Sequence, residues 1–195
     1  MLALYSVLNW NEAPAFGRRK TLLATLERLH QLHPGPACIV ETGTIRDDRS
    51  GACAGDGWST IAWGWYASQT GGKVYTIDIA PQAIETCKRL TVGYAAHLDY
   101  VCADSLKFLS QWNTADQGAI HLLYLDSFDY HDQEKSEAHH LAEVKAALPA
   151  LAPACLVLFD DTRPSGPAAE DGVLPLAGKG ARAIPFLLEQ GFTLE

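Results

Sequence analysis

Acidic residues stand at the ends of several short apolar runs, where their carboxylates could do chemistry. Glu41 and Asp78 each close such a run, Asp126 closes a third, and Asp160 and Asp161 close a fourth. If these runs are parallel strands, their carboxyl ends meet at one edge of a sheet, which is where open α/β sheets bind ligands. The spacing therefore predicts one rim of carboxylates that could bind sugar hydroxyls, hold a cation or accept a proton.

A glycine turn follows the first of these acidic residues. The segment Glu41-Thr42-Gly43-Thr44 is followed, after a polar insertion, by Asp56-Gly57-Trp58-Ser59-Thr60. Glycine allows the backbone to approach a ligand closely, and a helix start offers free amide donors. We therefore expect a ligand contact here, although a plain strand-to-helix turn is the alternative explanation.

Two further acidic positions fit a nucleoside. Asp78 ends the second run where nucleotide-binding folds place a carboxylate on the ribose hydroxyls. Asp104 and Ser105 follow the third run, where a short polar pair can meet the edge of an adenine ring. Each aspartate could instead cap the helix after it, and for Asp104 the two roles are compatible.

The last acidic group consists of Asp126, Asp160 and Asp161. Three converging carboxylates repel one another unless a cation lies among them, and oxygen ligands suit magnesium or calcium. The sequence therefore predicts a divalent metal site formed by these three residues. The alternative is that Asp126 lines a cofactor pocket while Asp160 or Asp161 caps a loop.

The elements between these residues alternate as in a parallel α/β sheet. Short β-branched runs at 38–41, 73–78, 98–102, 120–126 and 155–160 are separated by stretches compatible with helices. We expect a single-domain, Rossmann-like, doubly wound and mostly parallel sheet with helices on both faces. Within it, residues 1–36 form an N-terminal helical cover, 37–161 the cofactor-binding core, and 162–195 a C-terminal loop, helix and edge strand.

The composition limits the classes of partner that the chain is expected to bind. The 195 residues carry a formal net charge of -8, which disfavours nucleic acid because DNA and RNA binding needs a basic face. No apolar stretch reaches the roughly 20 residues that span a bilayer, and residues 1–20 lack a signal-peptide pattern. Five cysteines without a CxxC pair are interpreted as reduced thiols. We expect a cytoplasmic protein without a membrane or nucleic-acid partner.

The order of these motifs resembles the class I S-adenosylmethionine-dependent methyltransferases over roughly residues 37–161. It is most similar to the metal-dependent small-molecule O-methyltransferases of the caffeoyl-CoA and macrolide-sugar type. The resemblance implies S-adenosylmethionine as cofactor and a divalent metal, Mg²⁺, that orients the acceptor hydroxyl. It also implies the following cofactor contacts: Glu41, Gly43 and Thr44 at the methionine part, Gly57 and Ser59 nearby, Asp78 at the ribose, Asp104 and Ser105 at the adenine, and Asp126 in the pocket.

Methyl transfer from a sulfonium to a hydroxyl requires the oxygen to lose its proton. His131 is the favoured base because its loop follows Asp126, which is itself the second expected catalytic residue; His139, His140, the carboxylates and the metal alone are the alternatives. The expected function is O-methylation of a small molecule. The rivals are a NAD-dependent oxidoreductase, disfavoured by the missing G-x-G-x-x-G turn, and a non-catalytic cofactor-binding protein. A homodimer could complete the sheet edge.

Overall fold

A five-stranded parallel sheet forms the centre of the computed structural model, which describes residues 18–49, 51–53, 58–167 and 175–194. The strand order is β3-β2-β1-β4-β5. The strands are β1 (Cys38–Thr42), β2 (Lys73–Asp78), β3 (Leu98–Cys102), β4 (Ile120–Leu125) and β5 (Leu151–Phe159). The predicted doubly wound α/β fold is thereby confirmed, and the predicted strands differ from the observed ones only at their ends.

Helices pack on both faces of this sheet. They are α1 (Arg19–Leu32), α2 (Ser59–Thr70), α3 (Pro81–Leu90), α4 (Ser105–Ser110), α5 (Thr114–Gln117), α6 (Gln133–Ala147) and α7 (Ala183–Glu189), with 3-10 turns at Val92–His97 and Leu148–Ala150. Each face covers its own apolar cluster: Ile39 and Trp63 belong to one, Val40 and Leu123 to the other. This two-sided burial explains why β1 is buried at every position. None of the helices in the described ranges is long and apolar enough to cross a membrane.

The C-terminal part differs from the expected edge strand. A short antiparallel pair, β6 (Thr162–Pro164) and β7 (Leu176–Gly178), precedes α7. Residues 190–194, which follow α7, form no strand. The pair β6-β7 lies directly after the acidic end of β5, so it brings the far C-terminal residues back toward the rim of the sheet.

Strand order locates the crevice. The chain runs outward from β1 to β2 and β3 on one side, and then returns to β4 and β5 on the other. The two loops that leave β1 and β4 therefore diverge, which opens a crevice at the carboxyl ends of these strands. Gly43 and Asp126 follow β1 and β4 at this point.

Candidate functional site

The turn after β1 passes directly against the end of β4. The Gly43 N–H donates to the Ile77 carbonyl at 2.8 Å, and the Asp126 N–H donates to the Thr42 carbonyl at 2.8 Å. Gly43 has φ 82°, and a Cβ at this residue would lie 2.5 Å from the Asp126 carbonyl oxygen. Only glycine tolerates both the left-handed backbone and this contact. The predicted glycine turn is thus a close crossing of two backbones at the crevice.

Glu41 lies beneath this turn in a buried hydrogen-bond network. Its carboxylate accepts from Ser59 Oγ at 2.5 Å and Thr60 Oγ1 at 2.6 Å on α2. Trp63 Nε1 donates at 3.0 Å, and Thr76 Oγ1 on β2 donates at 2.7 Å. Burial raises the pKa of Glu41 to about 7, against the opposing effect of the hydroxyl donors. Glu41 and Ser59 therefore contact each other, joining β1, α2 and β2, and Glu41 presents no solvent-accessible face.

The neighbouring predicted residues surround this network. Thr44 Oγ1 lies 2.7 Å from Thr76 Oγ1 and 3.4 Å from Thr60 Oγ1, so its hydroxyl also faces the protein. Trp58 begins α2 with a left-handed φ of 51°, and its indole N–H donates to the Asp47 carbonyl at 3.1 Å. Gly57 and Asp56 lie outside the described residues.

Asp78 and the pair after β3 occupy the next two strand ends. Asp78 is half-buried; its Oδ1 accepts from the Ala80 N–H at 2.8 Å, and burial raises its pKa. Asp104 is exposed and caps α4 by accepting from the Lys107 N–H at 2.8 Å, which is the helix-cap role predicted for it. Ser105 is buried beside it, with Oγ 3.4 Å from His139 Nε2. Asp78 and Asp104 thus line the same edge as Gly43.

Asp126, Asp160 and Asp161 come together as the sequence predicted. One carboxylate oxygen from each lies within 4.8 Å of the others. Two basic side chains are inserted among them: Lys179 Nζ bonds Asp126 and lies 3.4 Å from Asp161 Oδ2, while Arg18 bonds Asp160 and lies 3.4 Å from Asp161 Oδ1. Burial raises the pKa of Asp126, and Lys179 opposes that rise. These five residues are called the rim cluster below.

The histidines are distributed unequally around this rim. His131 is exposed on the turn before α6 and makes no hydrogen bond or ion pair with another residue in the described part of the chain. His139 lies 3.3 Å from Glu143 Oε1, and this hydrogen bond raises its pKa. His140 is buried, and its ring Nδ1 lies 2.7 Å from the Ser136 carbonyl oxygen. The structure therefore does not bring His131, the favoured base, into the rim cluster.

Residues 54–162, more than half of the chain, match the family model described as a methyltransferase domain. This chain belongs to that family. No curated protein sequence matches it.

Solved structures resemble this chain in fold at low sequence identity. A SAM-dependent methyltransferase from Geobacter sulfurreducens, crystallised with S-adenosyl-L-homocysteine, is 11% identical with a TM-score of 0.51; the alignment covers 88% of this chain but only 60% of that one. A counterpart from Thiobacillus denitrificans, also with S-adenosyl-L-homocysteine, is 13% identical over 74% and 52% of the two chains, with a TM-score of 0.45. The fold is that of the class I methyltransferases.

The rim cluster does not fit a divalent metal ion. Its carboxylates have metal-like spacing, but Asp126 already bonds an ammonium and Asp160 a guanidinium. A metal ion between the three carboxylates would lie next to the Lys179 ammonium, whose side chain is only 2% exposed. Repulsion between two cations in such a buried place is strong. The cation that the sequence required among these carboxylates is supplied by side chains.

Lys179 and Arg18 were missed as site residues. The available signal for Lys179 was its position between Gly178 and Gly180, an unusual setting for a lysine. Arg18 gave none, because the leucine spacing of α1 predicted only a covering helix, and Leu22, Leu26 and Leu29 are indeed its buried face. Its position just before that helix places its guanidinium at the rim.

A small cavity opens beside the rim cluster. Its volume is about 180 Å³. Apolar and polar side chains share its wall, with one end formed by acidic and basic groups of the rim cluster. The lining residues are Arg18, Thr21, Leu22, Tyr124, Leu158, Phe159, Asp160, Asp161 and Thr162. A larger groove of about 330 Å³ lies along α3, around Glu85 and Arg89, away from the strand ends of β1 and β4.

Proposed function

We propose that this chain is an S-adenosylmethionine-dependent methyltransferase that transfers the methyl group to a hydroxyl of a small molecule. Membership of the methyltransferase-domain family supports the reaction class. The Geobacter sulfurreducens protein that shares its fold was crystallised with S-adenosyl-L-homocysteine, the product form of this cofactor. The proposal assigns the same nucleoside to the crevice between β1 and β4.

The observation that carries the proposal is the Gly43 turn at the point where the strand order reverses. There the backbone is partly exposed, and a bulkier residue would collide with the Asp126 carbonyl. Asp78 ends the adjacent strand and has spare acceptor capacity for ribose hydroxyls, since a carboxylate offers about four lone-pair positions. Asp104 and Ser105 end the strand after that. A methionine chain at Gly43, a ribose at Asp78 and an adenine at Asp104 follow this order.

Several predicted contacts take a supporting role in the proposal. Glu41, Ser59 and Thr44 hydrogen-bond within the protein, so we assign them to positioning the turn instead of touching the cofactor. Gly57 stays a prediction as a contact residue.

The acceptor is assigned to the cavity beside the rim cluster. Its apolar wall and its acidic end suit a small molecule that carries an apolar body and a hydroxyl. S-adenosylmethionine, which the Gly43 turn, Asp78 and Asp104 would hold, would supply the methyl group, and the acceptor hydroxyl would have to give up its proton. Asp126 contacts the Gly43 turn and belongs to the same rim cluster as Asp160 and Asp161, which line the cavity, so we assign it the role of accepting the hydroxyl proton. We assign the base to this carboxylate and not to the exposed His131.

Calorimetric titration tests the cofactor. We expect S-adenosyl-L-homocysteine to bind the wild-type chain and NAD to give no heat of binding. Asp78→Asn should weaken S-adenosyl-L-homocysteine binding by about tenfold or more, because hydrogen bonds to a charged group contribute roughly 1.5–3 kcal/mol. Asp99→Asn on β3, which is paired with Lys73 at the surface, is the matched control and should bind normally. Binding of NAD alone would refute the proposal and favour the oxidoreductase.

Transfer of a radiolabelled methyl group tests the acceptor class. A panel of hydroxylated small molecules should yield labelled products when incubated with the chain. RNA should remain unlabelled, because the chain's net charge of -8 opposes its approach to RNA phosphates. This comparison is needed because a candidate rRNA methylase from Clostridium thermocellum shares part of the fold, at 12% identity over 87% and 83% of the two chains with a TM-score of 0.48. Labelled RNA without any labelled small molecule would overturn the acceptor assignment.

A further inference from the structure

The rim cluster contains a lysine where a metal ion would be expected. Lys179 is one of the largest fully buried side chains, and its ammonium contacts two of the three carboxylates. A buried lysine is rare unless its charge is paired. Here the pairing is with the same oxygens that would ligate a divalent cation.

We propose that the Lys179 ammonium, together with the Arg18 guanidinium, takes the place of a divalent cation among Asp126, Asp160 and Asp161, so that this methyltransferase works without a metal. Only the methyltransferase activity in this inference rests on the function proposed above. The substitution of a metal by side chains stands on the rim cluster itself.

Charge balance supports the substitution. Three carboxylates bound to one divalent ion leave a single negative charge. The same three carboxylates paired with one lysine and one arginine also leave a single negative charge. The two side chains therefore do the electrostatic work of the ion, which is to hold like charges together at the end of neighbouring strands.

The backbone around Lys179 is built for this position. Gly178 has φ 111°, and a Cβ there would lie 1.9 Å from the Asp161 carbonyl oxygen. A Cβ at Gly180 would lie 2.8 Å from Ile184 Cδ1 and 3.0 Å from Phe159 Cγ. The Gly178 N–H also donates to Tyr130 Oη at 3.0 Å. The two glycines thus allow the β6-β7 hairpin to pack closely against the end of β5. This packing brings the Lys179 side chain into the rim cluster.

Lys179 acts as a positioning residue in this arrangement. It fixes the side chain of Asp126, whose backbone is hydrogen-bonded to Thr42 and contacts the Gly43 turn. Arg18 similarly ties the start of α1 to the end of β5. Arg18 and Lys179, which are far apart in the chain, therefore stabilise the edge of the crevice. In a metal site, one ion would have this role.

Titration with Mn²⁺ followed by electron paramagnetic resonance tests the proposal. After treatment with a chelating resin, the wild-type chain should show no saturable Mn²⁺ binding up to about 1 mM, the weak end of protein sites for hard cations. Lys179→Met keeps much of the stem and removes the charge. It should bind Mn²⁺ at least about tenfold more tightly than the limit of about 1 mM expected for the wild type, and Mn²⁺ should raise its melting temperature. Lys179→Arg keeps a cation and should resemble the wild type.

Lys135→Met is the matched control, because it removes a lysine from a surface ion pair with Asp132 and should leave Mn²⁺ binding unchanged. Stoichiometric Mn²⁺ binding by the wild type that Asp161→Asn abolishes would overturn the proposal. A folded Lys179→Met chain that neither binds Mn²⁺ nor loses stability would also overturn it. If Lys179→Met does not fold, the wild-type titration decides the question.

A parallel titration with S-adenosyl-L-homocysteine separates the two proposals. Absence of nucleoside binding together with absence of Mn²⁺ binding would refute the proposed function and leave the metal-free rim cluster intact. Nucleoside binding together with tight Mn²⁺ binding would have the opposite meaning.

Discussion

The turn after β1 and the rim cluster meet at Asp126, but they are built in opposite ways. The turn is made from consecutive residues, and its buried carboxylate, Glu41, is held by hydroxyls and one indole. The rim cluster gathers positions as distant as 18 and 179 and is held by full charges. Loss of a donor to Glu41 leaves a buried polar group unsatisfied, whereas the Arg18 ion pairs of the rim cluster are partly exposed, contribute less and are screened by salt.

The largest effect is expected at Gly43, where a substitution tests the difference between the turn and the rim cluster. Gly43→Ala places a Cβ 2.5 Å from the Asp126 carbonyl oxygen in a left-handed backbone, so we expect a loss of about 3 kcal/mol in the free energy of unfolding. Binding of S-adenosyl-L-homocysteine should weaken by more than about tenfold. Urea denaturation and calorimetry measure the two effects.

Gly93→Ala is the control for that variant, because no atom lies within 4 Å of a Cβ at Gly93. It should change neither stability nor binding appreciably. If Gly43→Ala behaved like Gly93→Ala, the close crossing of β1 and β4 would not be a constraint on the site.

Glu41 gives the turn a pH dependence of its own. Its folded pKa of about 7 lies above the usual value of 4.5, because burial disfavours the charged form. Its contribution to stability is therefore complete below about pH 4.5 and is lost as the pH rises through 7, by up to about 3 kcal/mol.

Glu41→Gln should remove this slope, although the amide costs stability at every pH by disturbing the hydroxyl donors. The difference in unfolding free energy between the two chains, measured from pH 5 to pH 8, checks the prediction. Glu85→Gln on the exposed face of α3 serves as control and should run parallel to the wild type. A constant difference between wild type and Glu41→Gln would mean that Glu41 keeps an ordinary pKa.

The smallest effect is expected at Arg18. Its side chain is 33% exposed, so Arg18→Met should cost only about 1 kcal/mol, mainly by leaving the Asp160 carboxylate without its guanidinium. The wild type should lose most of this advantage in about 1 M salt, where the screening length is about 3 Å. Arg89→Met, which breaks a surface pair with Asp48, should have a smaller effect. An effect of Arg18→Met as large as that of Gly43→Ala would erase the distinction between the two regions.

The sheet was predictable because buried parallel strands leave a local signal. Runs such as 73–78 and 98–102 are short, apolar and flanked by turns, and the structure places strands at those same residues. The left-handed backbone at the start of α2 was harder to predict from the sequence. Trp58 is the N-cap of α2 and makes no side-chain cap hydrogen bond, so capping rules give no signal for the start of this helix.

The positions of the candidate site residues along the sheet edge were predictable for the same reason. Gly43, Asp78 and Asp126 follow strand ends, and strand ends of a parallel sheet share one edge whatever the loops do. By itself the sequence determined that carboxylates would meet there and that their charge would need a cation. Only the tertiary structure decided which cation, because Arg18 and Lys179 reach the rim through the packing of α1 on β5 and the fold of the β6-β7 hairpin. Contacts between residues so far apart in the chain leave no local pattern to read.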